Sequence, residues 1–393
     1  MLVLLVVTVI VCCIGSDAFT PQPQHVKVAS KNTHIKVDCS TRTENEDEAS
    51  RIERIRAAVF QPPAPSDTNN PLSILTQVAD SLRIASLHGV DIVLFPELFL
   101  SSEQVLDREG YELNIVGNIC QELNVACIIG YAESIHESEL QNNNTNAEAQ
   151  DERGMYNSIA AFNADGSRAG NYRSISSSHH DDFLFRTGQP FVESIPTLIQ
   201  LPNRGGDTIS TTREIKVGLM CGNDVLIPEH CRNLVRSGTQ AIFASTSFKN
   251  DDLLVVECVI PTRALENHVP FLFANYAQPK ETGVNELNNF VGSSAIVSKD
   301  GSYLVCAPKK EGDDLPIDCG YLIPCQIGAL YAADIEISID IRHSSHLSKM
   351  EQWELIPSIP DTVGNQSKNE AEKKQINGNG FGRGSRRTSK AKK

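Results

Sequence analysis

The chain has 393 residues, with 49 acidic side chains against 35 basic ones, a formal charge of −14 and 40% apolar content. That is enough chain for a large α/β core, and it excludes collagen-like, coiled-coil and wholly disordered classes. The acidic balance speaks against a general nucleic-acid binder, and no apolar run reaches the roughly 18–20 residues that cross a bilayer. Eleven cysteines without a CxxC pair fit neither a disulfide-stapled miniprotein nor a zinc site of ordinary spacing.

Residues 2–14, LVLLVVTVIVCCI, are apolar apart from Thr8 and are followed by Gly15-Ser16-Asp17. This run suits a signal-peptide h-region over residues 1–18 better than a membrane span, with a buried first strand as the bland reading. Residues 19–52 open on a stretch rich in Lys, Ser and Thr that has no acid before Asp38, as in a transit peptide, and they end on the acidic TENEDEAS. Together the two segments predict entry into the secretory pathway. A bipartite plastid leader is one destination and simple secretion the rival. Asn143-Asn144-Thr145 is a glycosylation sequon.

From residue 53 to about 345 the pattern is one alternating β/α domain. Short aliphatic runs at 57–60, 91–96, 126–131, 216–220, 241–245 and 271–275 read as strands. Between them, Leu72, Leu75, Val78, Leu82, Ile84 and Leu87 recur at helical spacing over 71–89. Strands alternating with helices imply a layered α/β fold. The C-terminal extension, 346–393, ends in a stretch without hydrophobic periodicity. Its last 31 residues hold nine Lys/Arg and two Glu, so a basic, disordered arm is expected on an acidic body. Any nucleic-acid contact would come through that arm, most such tails being only solvated.

Three segments carry chemistry. DIVLFPELFL (91–100) sets Glu97 at a strand end, VGLMCGNDVLIPEHCRNLVRSGTQAIFAS (217–245) holds Cys221-Gly222-Asn223-Asp224, and RALENHVPFLFAN (263–275) follows. YNSIAAFNADGSRAGNYRS (156–174) and VGSSAIVSKDGS (291–302) each contain an Asp-Gly turn that favours tight strand reversal. In order and spacing these segments resemble the carbon–nitrogen hydrolases, or nitrilase superfamily, especially its amidase and N-carbamoyl amidase branches. The resemblance implies a four-layer αββα sandwich, homodimerisation through helices, and an amide-like small-molecule ligand. It also implies a Glu general base, a Cys nucleophile and a Lys that steadies the tetrahedral intermediate, often with a second supporting acid. A thiol needs a base to become a thiolate, and the developing oxyanion needs a fixed positive charge.

On this chain the resemblance assigns the general base to Glu97. The lysine position reads Ser174, and the adjacent Arg173 points to the other face of its strand. The supporting acid position falls near Asp181. Counted from Gly218 to Asp224 without a gap, the cysteine position holds Gly222. Cys221 then falls one residue early, in sheet packing and turned away from Glu97, as a small buried apolar residue. The alternative register, with a deletion before Cys221 and an insertion at Gly222-Asn223, makes Cys221 the nucleophile. His179 and His180 beside Asp181 suggest either a polar loop at the pocket mouth or a replacement base or metal ligand, and the loop is the simpler reading. Cys319 and Cys325 are candidates for pairing in an oxidising compartment. No phosphate loop, metal motif or flavin fingerprint is present, so no cofactor is expected. The favoured expectation is a catalytically impaired family member that keeps a binding pocket or an assembly role. The alternatives are an active amidase using Glu97 and Cys221, or an interaction protein acting through its basic tail.

Overall fold

A computed structural model describes residues 52–64, 71–101, 104–135, 154–176, 185–203, 213–278, 289–310 and 320–338. The leader, the basic tail, the sequon, Cys319, His179, His180 and Asp181 lie outside these residues.

Two sheets face each other, with helices on their outer sides. The first sheet is built from β1 (Ile52–Gln61), β2 (Ile92–Leu94), β3 (Ala126–Ser134), β4 (Met155–Phe162), β5 (Arg168–Arg173), the short β6 (Phe185–Arg186), β13 (Tyr321–Pro324) and β14 (Ala329–Ser338). Its order is β13-β14-β1-β2-β3-β4-β5, with β6 beside β4. The second sheet runs β12-β11-β10-β9-β8-β7. Its strands are β7 (Thr197–Leu201), β8 (Arg213–Cys221), β9 (Ala241–Ser245), β10 (Phe271–Ala274), β11 (Ala295–Val297) and β12 (Tyr303–Cys306). Each sheet has a parallel centre, β1-β2-β3 in one and β8-β9-β10 in the other. Antiparallel strands flank both centres.

The central strands are covered on both faces, which is why they read as unbroken apolar runs. Along β1, Ile55, Ala57 and Val59 face the opposite sheet and meet Val217, Leu219, Phe243 and Leu272. Ala58 and Phe60 face outward onto the helices. Those helices are α1 (Pro71–Leu87) and α2 (Tyr111–Leu123). The α1 stripe that reaches the sheet is Ile74, Leu75, Val78, Ala79, Leu82 and Ala85. Leu72 and Leu87, expected on that stripe, are exposed at the two ends of the helix, where the sheet no longer covers them. On the second sheet, α4 (Pro228–Arg236) and α5 (Ile260–Asn267) bury Cys231, Leu234, Val235, Ile260 and Ala264. A four-residue helix, α3 (Pro190–Glu193), precedes β7. The fold is a mixed α/β domain of two packed sheets and few helices, as expected from the sequence.

The two Asp-Gly segments form hairpins. Asp165-Gly166 turns β4 into β5, with Gly166 at φ +84°, and Asp300-Gly301 turns β11 into β12, with Gly301 at φ +81°. Both glycines take the left-handed conformation that a tight reversal demands. The sheets are clamped at one edge by Arg213. Its guanidinium donates to Glu53 at 2.8 Å, to Asp91 at 2.9 Å and to the Arg54 and Pro202 carbonyls.

Candidate active site

The chemistry-bearing residues gather where β2, β5, β8 and β9 end and β4 begins. After β2 the chain turns through Phe95-Pro96-Glu97-Leu98, with Leu98 in a left-handed conformation at φ +54°. Several groups pin this turn. Ser245 donates to the Phe95 carbonyl at 2.9 Å, Tyr276 donates to the Glu97 carbonyl at 2.8 Å, and Glu97 N–H donates to Thr246 O. Gly130 on β3 lets the turn lie close, because a Cβ there would stand 2.7 Å from both Leu98 N and Pro96 O.

The pinned turn buries the Glu97 side chain to 6% exposure. Its Oε1 accepts the Asn157 side-chain amide at 2.5 Å, and its Oε2 accepts the Ser247 hydroxyl at 2.5 Å. Asn157 and Ser247 were not singled out from the sequence. Each sits within a strand-like or post-strand motif whose partner is far away in the chain, so only the fold reveals the contact.

Cys221 is the last residue of β8 and follows the strand's alternation, on the same face as Ile215, Val217 and Leu219, in the core between the sheets. It has no exposure. Turning it away from Glu97 on the strength of that alternation needs correction. The Sγ lies 3.8 Å from Glu97 Oε1 and donates to Asn157 Oδ1 at 3.1 Å. The reason is geometric: Glu97 leans across from the first sheet into the end of the intersheet layer, and so meets a core-facing side chain.

Gly222 opens a short 3₁₀ turn, Gly222–Leu226, at φ +50°. A Cβ built there points at the same carboxylate, 2.8 Å from Oε1 and 3.2 Å from Oε2. Positions 221 and 222 therefore both address Glu97, the first from within the core and the second from the left-handed turn.

Ser174 follows β5 and is 4% exposed. Its hydroxyl lies 2.8 Å from Ser176 O and 3.1 Å from Asp224 Oδ1. Asp224 organises this corner. Its Oδ1 accepts Ile175 N–H, Ser176 N–H and the Ser176 hydroxyl, and its Oδ2 accepts Tyr172 at 2.6 Å and Cys221 N–H at 3.0 Å. Burial pushes the Asp224 carboxyl above its ordinary range, against the hydrogen bonds from Tyr172 and Ser176 that pull it down. His230 on α4 reaches the Tyr172 hydroxyl at 3.1 Å, and burial lowers its pKa against the pull of Asp224. Arg173 lies on the opposite face of β5 from Ser174. There it pairs with buried Glu133 at 2.6 Å and stacks 3.9 Å over the Tyr156 ring.

The sequence model of the carbon-nitrogen hydrolase family matches residues 56–316. The chain belongs to that family. Among curated relatives, a Pseudomonas protegens protein described as a hydrolase in the pqqF 5' region is 26% identical over 269 residues. That match spans 66% of this chain and 80% of the relative. A probable nitrilase of Schizosaccharomyces pombe is 24% identical over 57% of this chain and 74% of its own length. Among solved structures, a double mutant of the amidase from Nesterenkonia sp. AN1 in complex with acrylamide superposes with a TM-score of 0.53 at 17% identity. It covers 76% of this chain and 97% of the amidase. Another mutant of the same amidase, in complex with butyramide, gives 0.52 at 18% identity, over 76% of this chain and 97% of the amidase. Both likenesses are likenesses of fold. Among the described residues, no group of three or more His, Cys, Asp or Glu side chains is arranged to hold a metal ion.

Proposed function

We propose that this carbon-nitrogen hydrolase family member is catalytically impaired and uses the family pocket to bind a small amide-like molecule rather than to cleave it. The observation that carries this reading is the pairing of Gly222 with Glu97. The position whose side chain would point straight at the retained carboxylate has no side chain, and the neighbouring thiol is sealed in the core. Attack on a carbonyl carbon requires the sulfur to reach the ligand, and a side chain with no exposure does not. At the lysine position, Ser174 offers a hydroxyl held by Asp224 and brings no positive charge to an oxyanion. Losing an activated nucleophile costs on the order of 10⁶ in kcat in a triad enzyme, and losing one oxyanion donor roughly 10²–10³.

Glu97 suits recognition of an amide. A buried carboxylate accepts N–H donors, as it does here from the side-chain amide of Asn157. A second reading, an active amidase with Cys221 as nucleophile, draws on the 3.8 Å approach of its sulfur to Glu97 Oε1. In that reading the β8 end must open to expose the thiol.

Ammonia release by the full chain across amides, nitriles and N-carbamoyl amines, together with calorimetric titration of the same compounds, tests the proposal. Binding without turnover is the expected result. Turnover that Cys221→Ala abolishes would establish the amidase reading instead, and absence of both binding and turnover would remove the pocket role.

A further inference from the structure

His230 on α4 is buried to 3% exposure, and each of its ring nitrogens has a hydroxyl partner. Nε2 lies 3.1 Å from the Tyr172 hydroxyl and Nδ1 lies 3.2 Å from the Ser194 hydroxyl. Each hydroxyl has one proton to give, and each has a second partner that can only accept it. Following those protons fixes what the ring must do.

At the Tyr172 end there is one solution. Asp224 takes the N–H groups of Cys221, Ile175 and Ser176 and the Ser176 hydroxyl, so both of its oxygens are acceptors. The Tyr172 proton therefore goes to Asp224 Oδ2, 2.6 Å away, and Nε2 must carry a proton to reach the Tyr172 oxygen. At the Ser194 end there are two solutions. Ser194 caps the single turn of α3, and its hydroxyl lies 2.7 Å from the Pro190 carbonyl. With Nδ1 bare, the neutral ring accepts the Ser194 proton and the bond to Pro190 is given up. With Nδ1 protonated, the ring donates to Ser194 Oγ, and the hydroxyl proton closes onto Pro190 O.

We propose that His230 is a proton-operated latch on α3: proton uptake at Nδ1 turns the Ser194 hydroxyl from the ring to the Pro190 carbonyl and closes the turn. The two arrangements differ by one proton from water and one hydroxyl rotation, while Nε2–H and its bond to Tyr172 are common to both. The turn bears on the active site because α3 is tied to the end of β5. Glu193 accepts the Arg173 N–H at 3.2 Å, and Gly188 N–H donates to the Ser174 carbonyl at 2.7 Å. Closing the turn firms the anchor of the strand that delivers Ser174, whether the site binds or cleaves. Histidine is the side chain suited to such switching near neutrality. The groups that face its ring are Asp224 on the 3₁₀ turn, Tyr172 on β5 and the Leu219 carbonyl on β8. Burial lowers the ring's pKa, and Asp224 and the Leu219 carbonyl pull it back up. Glu193 on α3 acts on Tyr172 and Asp224 from further away. On its own helix Glu229 and Arg232 flank it, with Arg232 turned to Glu266 at 3.9 Å.

Imidazole nitrogen shifts of the full chain are followed by NMR from about pH 4 to 8, the His230 signals being identified by their loss in His230→Gln. The Pro190 carbonyl carbon is followed in parallel. The neutral ring is expected as the Nε2–H tautomer, and the Pro190 carbon should move downfield on acidification with the His230 midpoint. In Ser194→Ala, His230 should still titrate while the Pro190 step is lost. Glu193 sits on the same turn and is raised to about 7, so the titration is repeated in Glu193→Gln, where the step should persist. A neutral ring protonated at Nδ1, a Pro190 carbon that stays still while His230 titrates, or a step that vanishes with Glu193 overturns the proposal. So does a ring that takes up no proton over the range. The tautomer and midpoints are read on the wild type, so poor folding of a variant leaves them decisive. They need no ligand, so their failure is separate from failure of the binding assay.

Discussion

Replacing Gly222 by alanine measures directly whether position 222 and Glu97 compete for one space. Two costs follow from the geometry. At φ +50° an L-residue is in the left-handed region, which costs about 1–2 kcal/mol relative to glycine. The new Cβ would also lie 2.8 Å from Glu97 Oε1, closer than carbon and oxygen tolerate, so the carboxylate must shift. It is held by Asn157 and Ser247, and hydrogen bonds to a charged group contribute about 1.5–3 kcal/mol each. Weakening them in part adds about 1–2 kcal/mol, for a total near 2–4 kcal/mol. In a Glu97→Ala background the contact is gone and only the backbone strain remains, about 1–2 kcal/mol. A double-mutant cycle read by urea unfolding and circular dichroism should therefore return a coupling of about 1–2 kcal/mol. Additivity within about 0.5 kcal/mol would refute the claim that residue 222 faces the carboxylate.

Two further outcomes are expected from groups away from the ligand. Arg213→Ala leaves buried Asp91 and half-buried Glu53 without the guanidinium that joins them; in a cluster only partly removed from water this costs about 1–3 kcal/mol in denaturant unfolding, less than for a fully buried pair. Arg213→Lys should recover less than half of that, since one ammonium cannot reproduce a fork that also serves two backbone carbonyls. Glu193 is raised from its ordinary 4.5 to about 7, first by burial and then by the nearby Glu133 and Asp224 charges, against the Arg173 N–H bond and the Arg173 charge. The folded state holds this proton more tightly than the unfolded chain, so stability is fullest below pH 4.5 as far as this group is concerned and falls as pH rises toward 7. Glu193→Gln should flatten the decline between those limits in thermal unfolding midpoints. An unchanged slope would place its origin elsewhere.

The fold was legible because its signals are local and repeated. Doubly covered strands leave unbroken apolar runs such as DIVLF and AIFAS, and Asp-Gly pairs mark the two hairpins, whatever the rest of the chain does. Glu97 was legible for the same reason, since FPELF marks a strand end followed by a turn. The arrangement around it was less accessible. The partners of Glu97 come from β4 and from the segment after β9, Asn157 sixty residues on and Ser247 one hundred and fifty. A strand's two-residue alternation places Cys221 on the core face, yet it does not say that Glu97 reaches into that core from the opposite sheet. The Asp224 cluster was equally hidden. Ser174, Ser176 and Tyr172 look like unrelated polar residues until one carboxylate collects them.

In the proposed reading, that cluster also lets a frame for chemistry persist when the reacting groups change. The turn carrying residue 222 is held by Asp224 through the Cys221 N–H, and the turn carrying Glu97 by Ser245, Thr246 and Tyr276. None of these bonds uses a side chain at position 222 or a cation at position 174. An ordinary side chain at 222 would have to sit in a left-handed conformation against a carboxylate, a strain that enzymes tolerate for reactivity. Glycine removes the strain and keeps the turn. On the proposed reading, glycine at 222 favours the folded state at the expense of reactivity, the direction in which stability and activity usually trade. The same physics accounts for both halves of the observation: two turns held by hydrogen bonds that ask nothing of position 222, and Glu97 facing a glycine.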